Sequence, residues 1–135
     1  MEPVANDHDV ISVALYLKGD DLHPSTVTTA LGVSPDKAFA RGDRHYARGR
    51  PLTRKVGLWS LSVESPELSL QQKVDQLTRR MAHIEIDLRT LPGVEEAYLD
   101  VYVAAEDADH CLELTPEQLG WLQRRGLTVQ LTFSP

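Results

Sequence analysis

The chain has 135 residues, of which 41% are hydrophobic and 25% are charged, and its formal net charge is −6. This length suits one domain with one hydrophobic core, so residues 1–135 are predicted to form a single domain with a flexible N-terminus at 1–8. No apolar run reaches the roughly 18–20 residues of a membrane span, and the acidic N-terminus lacks the order of a signal peptide. Cys111 is the only cysteine, which excludes an intrachain disulfide. We therefore predict a cytoplasmic protein without a membrane partner.

The charge is distributed unevenly along the chain. Residues 36–55 contain seven basic and two acidic side chains, a net charge of +5, which leaves −11 for the remainder. Most of the surface would therefore repel nucleic acid, and the distribution disfavours a nucleic-acid partner. A protein partner of complementary charge is the better electrostatic match.

Four segments show the alternation of apolar and polar residues that is typical of half-buried strands. They are Val10–Leu17, Leu58–Val63, Glu96–Val103 and Leu127–Phe133. In the last of them, Leu127, Val129, Leu131 and Phe133 are predicted to face inward.

Three helices are predicted between these strands. The first begins at His23-Pro24 and ends at Gly32, and the last begins at Thr115-Pro116 and ends at Gly126. The longest is predicted from about Leu70 to Leu91, because apolar residues recur at intervals of three and four. The same stripe is compatible with a coiled coil, but a single helix that has to cover a sheet favours core packing. A further turn or two of helix is predicted at 34–37.

The order β-α-β-α-β-α-β predicts an α+β fold with a four-stranded sheet. Strands buried on both faces would be continuously apolar, so the helices are predicted to cover mainly one face, in a two-layer sandwich. The other face is predicted to be open and polar. It would carry Ser12, Tyr16, Ser60, Ser62, Tyr98, Asp100, Tyr102, Thr128 and Gln130.

Residues 41–54 are predicted to form a mobile basic loop, because arginine and glycine dominate and few apolar side chains could anchor it. The loop leads to Trp59, which has two interpretations. The pattern favours a core residue, since tryptophan is usually well buried. The alternative is a binding residue at the base of the loop.

No catalytic or metal-binding motif accompanies the loop. The histidines lack the spacings that close a zinc site, and neither Ser60 nor Ser62 lies in a nucleophile elbow. We therefore predict no catalytic residue, no metal and no cofactor, and an enzyme is the less favoured interpretation.

Several short motifs occur in order along the chain. They are residues 18–22 (Lys-Gly-Asp-Asp-Leu), 31–35 (Leu-Gly-Val-Ser-Pro), 41–43 (Arg-Gly-Asp) and 57–62 (Gly-Leu-Trp-Ser-Leu-Ser). This order resembles the uncharacterised bacterial family called domain of unknown function 4279, over nearly the whole chain. The resemblance implies no activity and no site residues. Small cytosolic families of this type are associated with immunity proteins that neutralise bacterial toxins, which is an association and not a site argument.

The sequence therefore predicts a non-enzymatic protein-interaction module, with an immunity protein against a toxin domain as the leading example. Tyrosine and arginine are favoured interface residues. The predicted partner-binding residues are Tyr16, Arg44, Arg48, Arg50, Trp59, Tyr98 and Tyr102. The sequence is also compatible with a homodimer.

The alternative is an anion- or nucleotide-binding domain or enzyme that uses the loop from Arg41 to Lys55. Its guanidinium groups could clamp a phosphate or a carboxylate, and Trp59 or Tyr46 could stack on a base.

Overall fold

The computed structural model of the chain describes residues 10–65, 67–104 and 112–134. The predicted flexible N-terminus and Cys111 lie outside the described residues. Within the described ranges, no helix combines the length and the apolar character needed to cross a membrane.

The described residues form seven strands, three helices and a 3-10 turn. The strands are β1 (Val10–Gly19), β2 (Lys37–Phe39), β3 (Arg44–Ala47), β4 (Arg50–Thr53), β5 (Gly57–Val63), β6 (Glu96–Ala104) and β7 (Thr128–Ser134). The helices are α1 (Pro24–Leu31), α2 (Leu70–Arg80) and α3 (Pro116–Arg124), and the 3-10 turn is Leu88–Thr90.

Five of the strands form one mixed sheet in the order β2-β5-β1-β6-β7, and β3 and β4 form a separate hairpin. All neighbours in the sheet are antiparallel except β6 and β7, which are parallel. The predicted α+β class and the four predicted strands are confirmed. The sheet is one strand wider than predicted, because β2 pairs with β5 at its edge.

The hydrophobic core lies between one face of this sheet and the helices. Val13, Leu15 and Leu17 of β1 are fully buried there, and helices α1 and α2 pack against β1 and β5. Trp59 of β5 is 0% exposed, and its indole Nε1 donates a hydrogen bond to Thr28 Oγ1 of α1 at 3.0 Å. The interpretation of Trp59 as a core residue is confirmed.

Helix α2 ends at Arg80, about ten residues earlier than the apolar stripe predicted. The stripe residues beyond it remain buried, among them Ile84 and Leu88. The guanidinium Nε of Arg125 donates to the Ile84 carbonyl at 2.9 Å, and the Leu88 N–H donates to the Arg125 carbonyl at 2.9 Å. These backbone groups are therefore bonded to the end of α3, and residues 81–91 cross the core without continuing the helix.

Arg125 has an unusual environment for a charged side chain. Only 6% of it is exposed, and its guanidinium stacks on the Trp121 ring at 4.7 Å. Burial lowers the pKa of Arg125 below its usual value. The residue fixes the irregular segment after α2 through contacts that a local sequence pattern does not report.

The short helix predicted at 34–37 is wrong, because this segment leads directly into β2. The Asp36 N–H donates to the Ser60 carbonyl at 2.8 Å, so that Asp36 begins the pairing with β5. Its carboxylate accepts hydrogen bonds from the Ser62 N–H at 2.9 Å and from Arg80 Nη1 at 2.8 Å. The bond from Arg80 holds the pKa of Asp36 below its usual value. Asp36 therefore joins the sheet to the end of α2 and caps no helix.

The predicted inward face of the last strand is wrong in its second half. Leu127 is buried and Val129 is half-buried, but Leu131 is 50% exposed and Phe133 is 63% exposed. The reason is topological. Strand β7 lies at the sheet edge, whereas the contacts of α1 and α2 with the sheet are made to β5 and β1.

Candidate functional site

The predicted basic loop forms a β-hairpin, so its interpretation as irregular structure is wrong. Strands β3 and β4 pair from Arg44 with Thr53 to Ala47 with Arg50. The two-residue turn between them consists of Arg48 and Gly49, with φ angles of 55° and 75°. Positive φ at both central residues is the requirement of a type I′ turn, which matches the twist of the paired strands.

Arg48 occupies a position that favours glycine or asparagine. It is the one non-glycine residue with positive φ among the described residues. The left-handed region costs an L-residue with a Cβ about 1–2 kcal/mol. Asparagine-glycine is the usual signal for this turn, and arginine-glycine gave no such signal.

The hairpin exposes arginine and apolar side chains on both faces. Directly paired residues share a face, so Arg44 and Tyr46 lie on one face and Arg50 and Leu52 lie on the other. The exposed fraction is 77% for Tyr46 and 45% for Leu52. Among the described residues, no ion-pair partner lies within 4.0 Å of the guanidinium groups of Arg44, Arg48 and Arg50.

The base of the hairpin is fixed to the sheet. The Arg54 N–H donates to the Asp43 carbonyl at 2.8 Å, and the guanidinium of Arg54 stacks on the Phe39 ring at 4.0 Å. Arg41 pairs with Asp21 at 3.4 Å. The hairpin therefore projects from an anchored base.

A row of side chains crosses the sheet on the face opposite to the core. The strand register sets Ser60, Tyr16, Tyr98 and Thr128 next to one another, with Lys37 at the β2 end. The rings of Tyr16 and Tyr98 lie 5.4 Å apart at a tilt of 31°. Ser60 is only 3% exposed, so this face is less open on β5 than predicted.

Lys18 bridges the two tyrosines of this row. Its Nζ lies 5.5 Å from the centre of the Tyr16 ring and 5.3 Å from the centre of the Tyr98 ring. A hydrogen bond with Tyr98 raises the pKa of Lys18. Burial raises the pKa of Tyr16, and the negative charge of Asp100 adds to that rise. At neutral pH the lysine is therefore charged and Tyr16 is neutral.

The hairpin base and the tyrosine row share one sheet face. Phe39 pairs with Leu58, and Leu58 pairs with Lys18, which sets the three side chains side by side on the face opposite to Trp59. Because Arg54 stacks on Phe39, it connects the hairpin to this face. We call this combined region the basic surface. It consists of Tyr16, Lys18, Lys37, Phe39, Arg44, Tyr46, Arg48, Arg50, Leu52, Arg54 and Tyr98.

The structure brings some of the predicted partner-binding residues together and separates others. Tyr16 and Tyr98 are in contact, and Tyr102 lies on the same face further along β6, paired with Ser12. Arg44, Arg48 and Arg50 lie on the hairpin. The prediction of Trp59 as a partner-binding residue is wrong, because its side chain is completely buried.

Six residues of the basic surface are not among the predicted partner-binding residues, namely Lys18, Lys37, Phe39, Tyr46, Leu52 and Arg54. Three of them, Tyr46, Leu52 and Arg54, lie within the Arg41–Lys55 loop of the anion-binding alternative. Lys18 follows Tyr16 at the spacing of one strand face, so the alternation of β1 could have found it. The contact between Phe39 and Arg54 could not be predicted, because it depends on β2 and the hairpin. Neither element was predicted.

Other parts of the described chain offer weaker candidates for a metal site or a ligand-binding site. Within residues 10–65, 67–104 and 112–134, no group of three His, Cys, Asp or Glu side chains is placed to hold a metal ion. A cleft of about 410 Å³ lies at the start of β6 and β7, between Arg89, Glu95 and Thr128. Arg89 already pairs with Asp87 there, at 2.7 Å.

Comparison with known proteins gives one match. The family model described as Domain of unknown function (DUF4279) matches residues 9–134. No curated protein and no solved structure matches the chain. Since the family model covers nearly all of the sequence, the chain belongs to the DUF4279 family.

Proposed function

We propose that this chain is a non-enzymatic protein-binding module that docks an acidic partner on its basic surface. The observation that carries the proposal is the hairpin, which holds three arginines without an ion-pair partner among the described residues. Exposed Tyr46 shares one face of the hairpin with Arg44, and exposed Leu52 shares the other face with Arg50. Arginine and tyrosine are the residue types that most often anchor protein interfaces.

The geometry of the hairpin supports a macromolecular partner. Its paired strands limit the conformational freedom that a partner would otherwise have to remove, and this lowers the entropic cost of docking. Free guanidinium groups can bind carboxylates through two parallel hydrogen bonds. Arg48 places its side chain at the tip in spite of a strained backbone, and this supports a role for that side chain.

The sheet face that carries Tyr16 and Tyr98 would extend the docking surface beyond the hairpin. Although Leu58 and Ser60 of β5 are buried on this face, β1 and β6 present the ring pair of Tyr16 and Tyr98 with the charge of Lys18, all three partly exposed. A partner that contacts both regions would span from the hairpin tip to β6.

A bacterial toxin domain with an acidic surface is the partner class that fits the immunity-protein hypothesis. In that case the chain would act in the cytoplasm by covering the toxin's working surface. The acidic remainder of the chain would repel the partner outside the contact and so fix its orientation.

Small anions fit this surface less well than a protein does. The hairpin arginines lie on two faces and at the tip, whereas a phosphate or nucleotide requires groups that converge on one point. We expect no thermal shift with ATP or inorganic phosphate. A clear stabilisation that disappears in a variant with Arg44, Arg48 and Arg50 changed to Ser would support the anion-binding alternative.

Site-specific photo-crosslinking tests the proposal in cells that express the full chain. A benzophenone amino acid at Tyr46 is expected to crosslink an acidic protein, because Tyr46 is the most exposed large apolar side chain described. The matched control places the same amino acid at Gln76, an exposed position on α2. The crosslink should form at Tyr46 and be absent at Gln76.

The crosslinking result has two contradicting outcomes. The same crosslinked protein from both positions would indicate non-specific capture. The absence of any crosslink from Tyr46, together with a crosslink from Gln76, would move the interface to the helices.

A further inference from the structure

Among the described residues, the edge strand β7 carries none of the usual features that protect an edge from pairing. Its sequence, from Thr128 to Ser134, contains no charged residue, no proline and no glycine. Among the described residues, no backbone hydrogen bond outside the β6 ladder reaches this strand. Soluble proteins usually protect an edge of this length with a charge, a proline, a bulge or a covering segment.

The opposite edge of the same sheet is protected. Strand β2 has only three residues, begins with Lys37 and continues towards the hairpin. Short length and a lysine are common means of preventing edge pairing. The contrast between the two edges indicates that β7 is an edge that is available for pairing.

The exposed side chains of β7 are arranged so that they would match those of an identical, antiparallel strand. Val129, Leu131 and Phe133 alternate on the face that carries the core, and the last two are 50% and 63% exposed. An antiparallel pair of β7 strands centred on Leu131 would set Leu131 opposite Leu131 and Val129 opposite Phe133. On the other face, Thr128 would lie opposite Ser134.

We propose that β7 pairs with β7 of a second copy of this chain, so that two five-stranded sheets form one continuous ten-stranded sheet. The two-fold axis would run perpendicular to the sheet, which keeps the core faces of both copies on the same side. A second copy is the occupant that the strand pattern favours, because the apolar side chains of β7 would lie opposite apolar side chains. Although the chain carries a net charge of −6, the strand itself has no charge to repel an identical strand.

This pairing is independent of the basic surface. The hairpin joins the sheet at the β2 edge, four strands away from β7. A dimer would therefore present two hairpins at its two outer ends. Loss of the dimer would leave the docking proposal untouched, and the reverse also holds.

Sedimentation equilibrium of the full chain, from about 1 µM to about 200 µM, tests the proposal. The wild-type protein is expected to show a dimer that dissociates on dilution. Leu131→Lys should weaken it at least about tenfold, because two lysines would meet at the axis. The matched control is Leu52→Lys, since Leu52 is exposed to a similar extent, 45% against 50%, but lies on the hairpin.

A second measurement does not depend on the lysine variant. In a Cys111→Ser background, Leu131→Cys should form an intermolecular disulfide on mild oxidation, and Leu52→Cys should not. The proposal is overturned if the wild-type chain is monomeric at every concentration, which would leave the edge to another occupant. It is also overturned if the dimer survives Leu131→Lys, or if Leu52→Lys weakens the dimer equally.

Discussion

Replacing Trp59 by alanine is expected to lower the free energy of unfolding by about 4 kcal/mol. Trp59 is the largest side chain of the core that is fully buried, and it lies on a central strand between the sheet and α1. Its removal leaves a cavity that the surrounding backbone cannot close. Urea unfolding followed by far-UV circular dichroism measures the loss.

Two milder variants separate packing from hydrogen bonding at this position. Trp59→Phe keeps most of the volume but loses the hydrogen bond to Thr28 Oγ1, and Thr28→Val removes the same bond from the other side. We expect each to cost about 1–2 kcal/mol. If Trp59→Ala cost less than about 1 kcal/mol, the assignment of Trp59 to the core would be wrong.

Replacing Gly19 by alanine is expected to lower the free energy of unfolding by about 3 kcal/mol. Gly19 ends β1 at a point where three backbone segments meet. A Cβ on Gly19 would lie 1.8 Å from the carbonyl oxygen of Gly93, and one on Gly57 would lie 2.4 Å from the carbonyl oxygen of Leu22. Because the opposing atoms are backbone, no side-chain rotation can relieve the clash. Urea unfolding again gives the magnitude.

The control for Gly19 is a glycine at which a methyl group has room. Gly120 lies inside α3, and the nearest contact of an added Cβ is the flexible end of Arg124 at 3.2 Å. Gly120→Ala is expected to stabilise the protein by up to about 1 kcal/mol through helix propensity. Equal changes in the free energy of unfolding for Gly19→Ala and Gly120→Ala would show that the close backbone contact at Gly19 does not exclude a side chain.

Predictions from local periodicity were correct where the alternation of buried residues has the same period as the secondary structure. The alternation in β1 and β6 identified both the strands and their buried faces. The capping boxes identified the starts of α2 and α3, where Ser69 and Thr115 accept the expected bonds. These signals are carried by neighbouring residues, so they can be read from the sequence.

The incorrect predictions depend on contacts between distant residues. The apolar stripe after α2 is buried as expected, but the segment does not continue the helix, and its Ile84 carbonyl accepts a hydrogen bond from Arg125, 41 positions away. Strand β2 depends on pairing with β5, and the exposure of Leu131 depends on the order of strands in the sheet. No local pattern reports such contacts.

The sequence analysis predicted the basic residues of the candidate surface but not its secondary structure. The density of arginines in residues 41–54 identified the segment of interest. Its hairpin was missed because each face mixes arginine with apolar side chains, which leaves no alternation, and because the turn is Arg48-Gly49. The alternation in β1 and β6 predicted that Tyr16 and Tyr98 share a sheet face, but their contact depends on the pairing of the two strands.

The most direct test of the docking proposal uses the partner protein that the crosslinking experiment identifies. It compares the rates at which this partner associates with the wild-type chain and with two matched double variants. Arg44→Ser/Arg50→Ser removes two charges from the hairpin, and Arg79→Ser/Arg124→Ser removes two exposed charges from α2 and α3. Both should keep the melting temperature of the wild-type protein within a few degrees, since exposed unpaired charges contribute little to stability.

Stopped-flow measurement at low and physiological salt then gives the decisive comparison. We predict that the hairpin variant associates about tenfold more slowly than wild type at low salt, that this difference shrinks as salt increases, and that the control variant associates at the wild-type rate. Equal rates for the hairpin variant and the wild type, or equal slowing in both variants, would contradict the proposal that the hairpin docks an acidic partner.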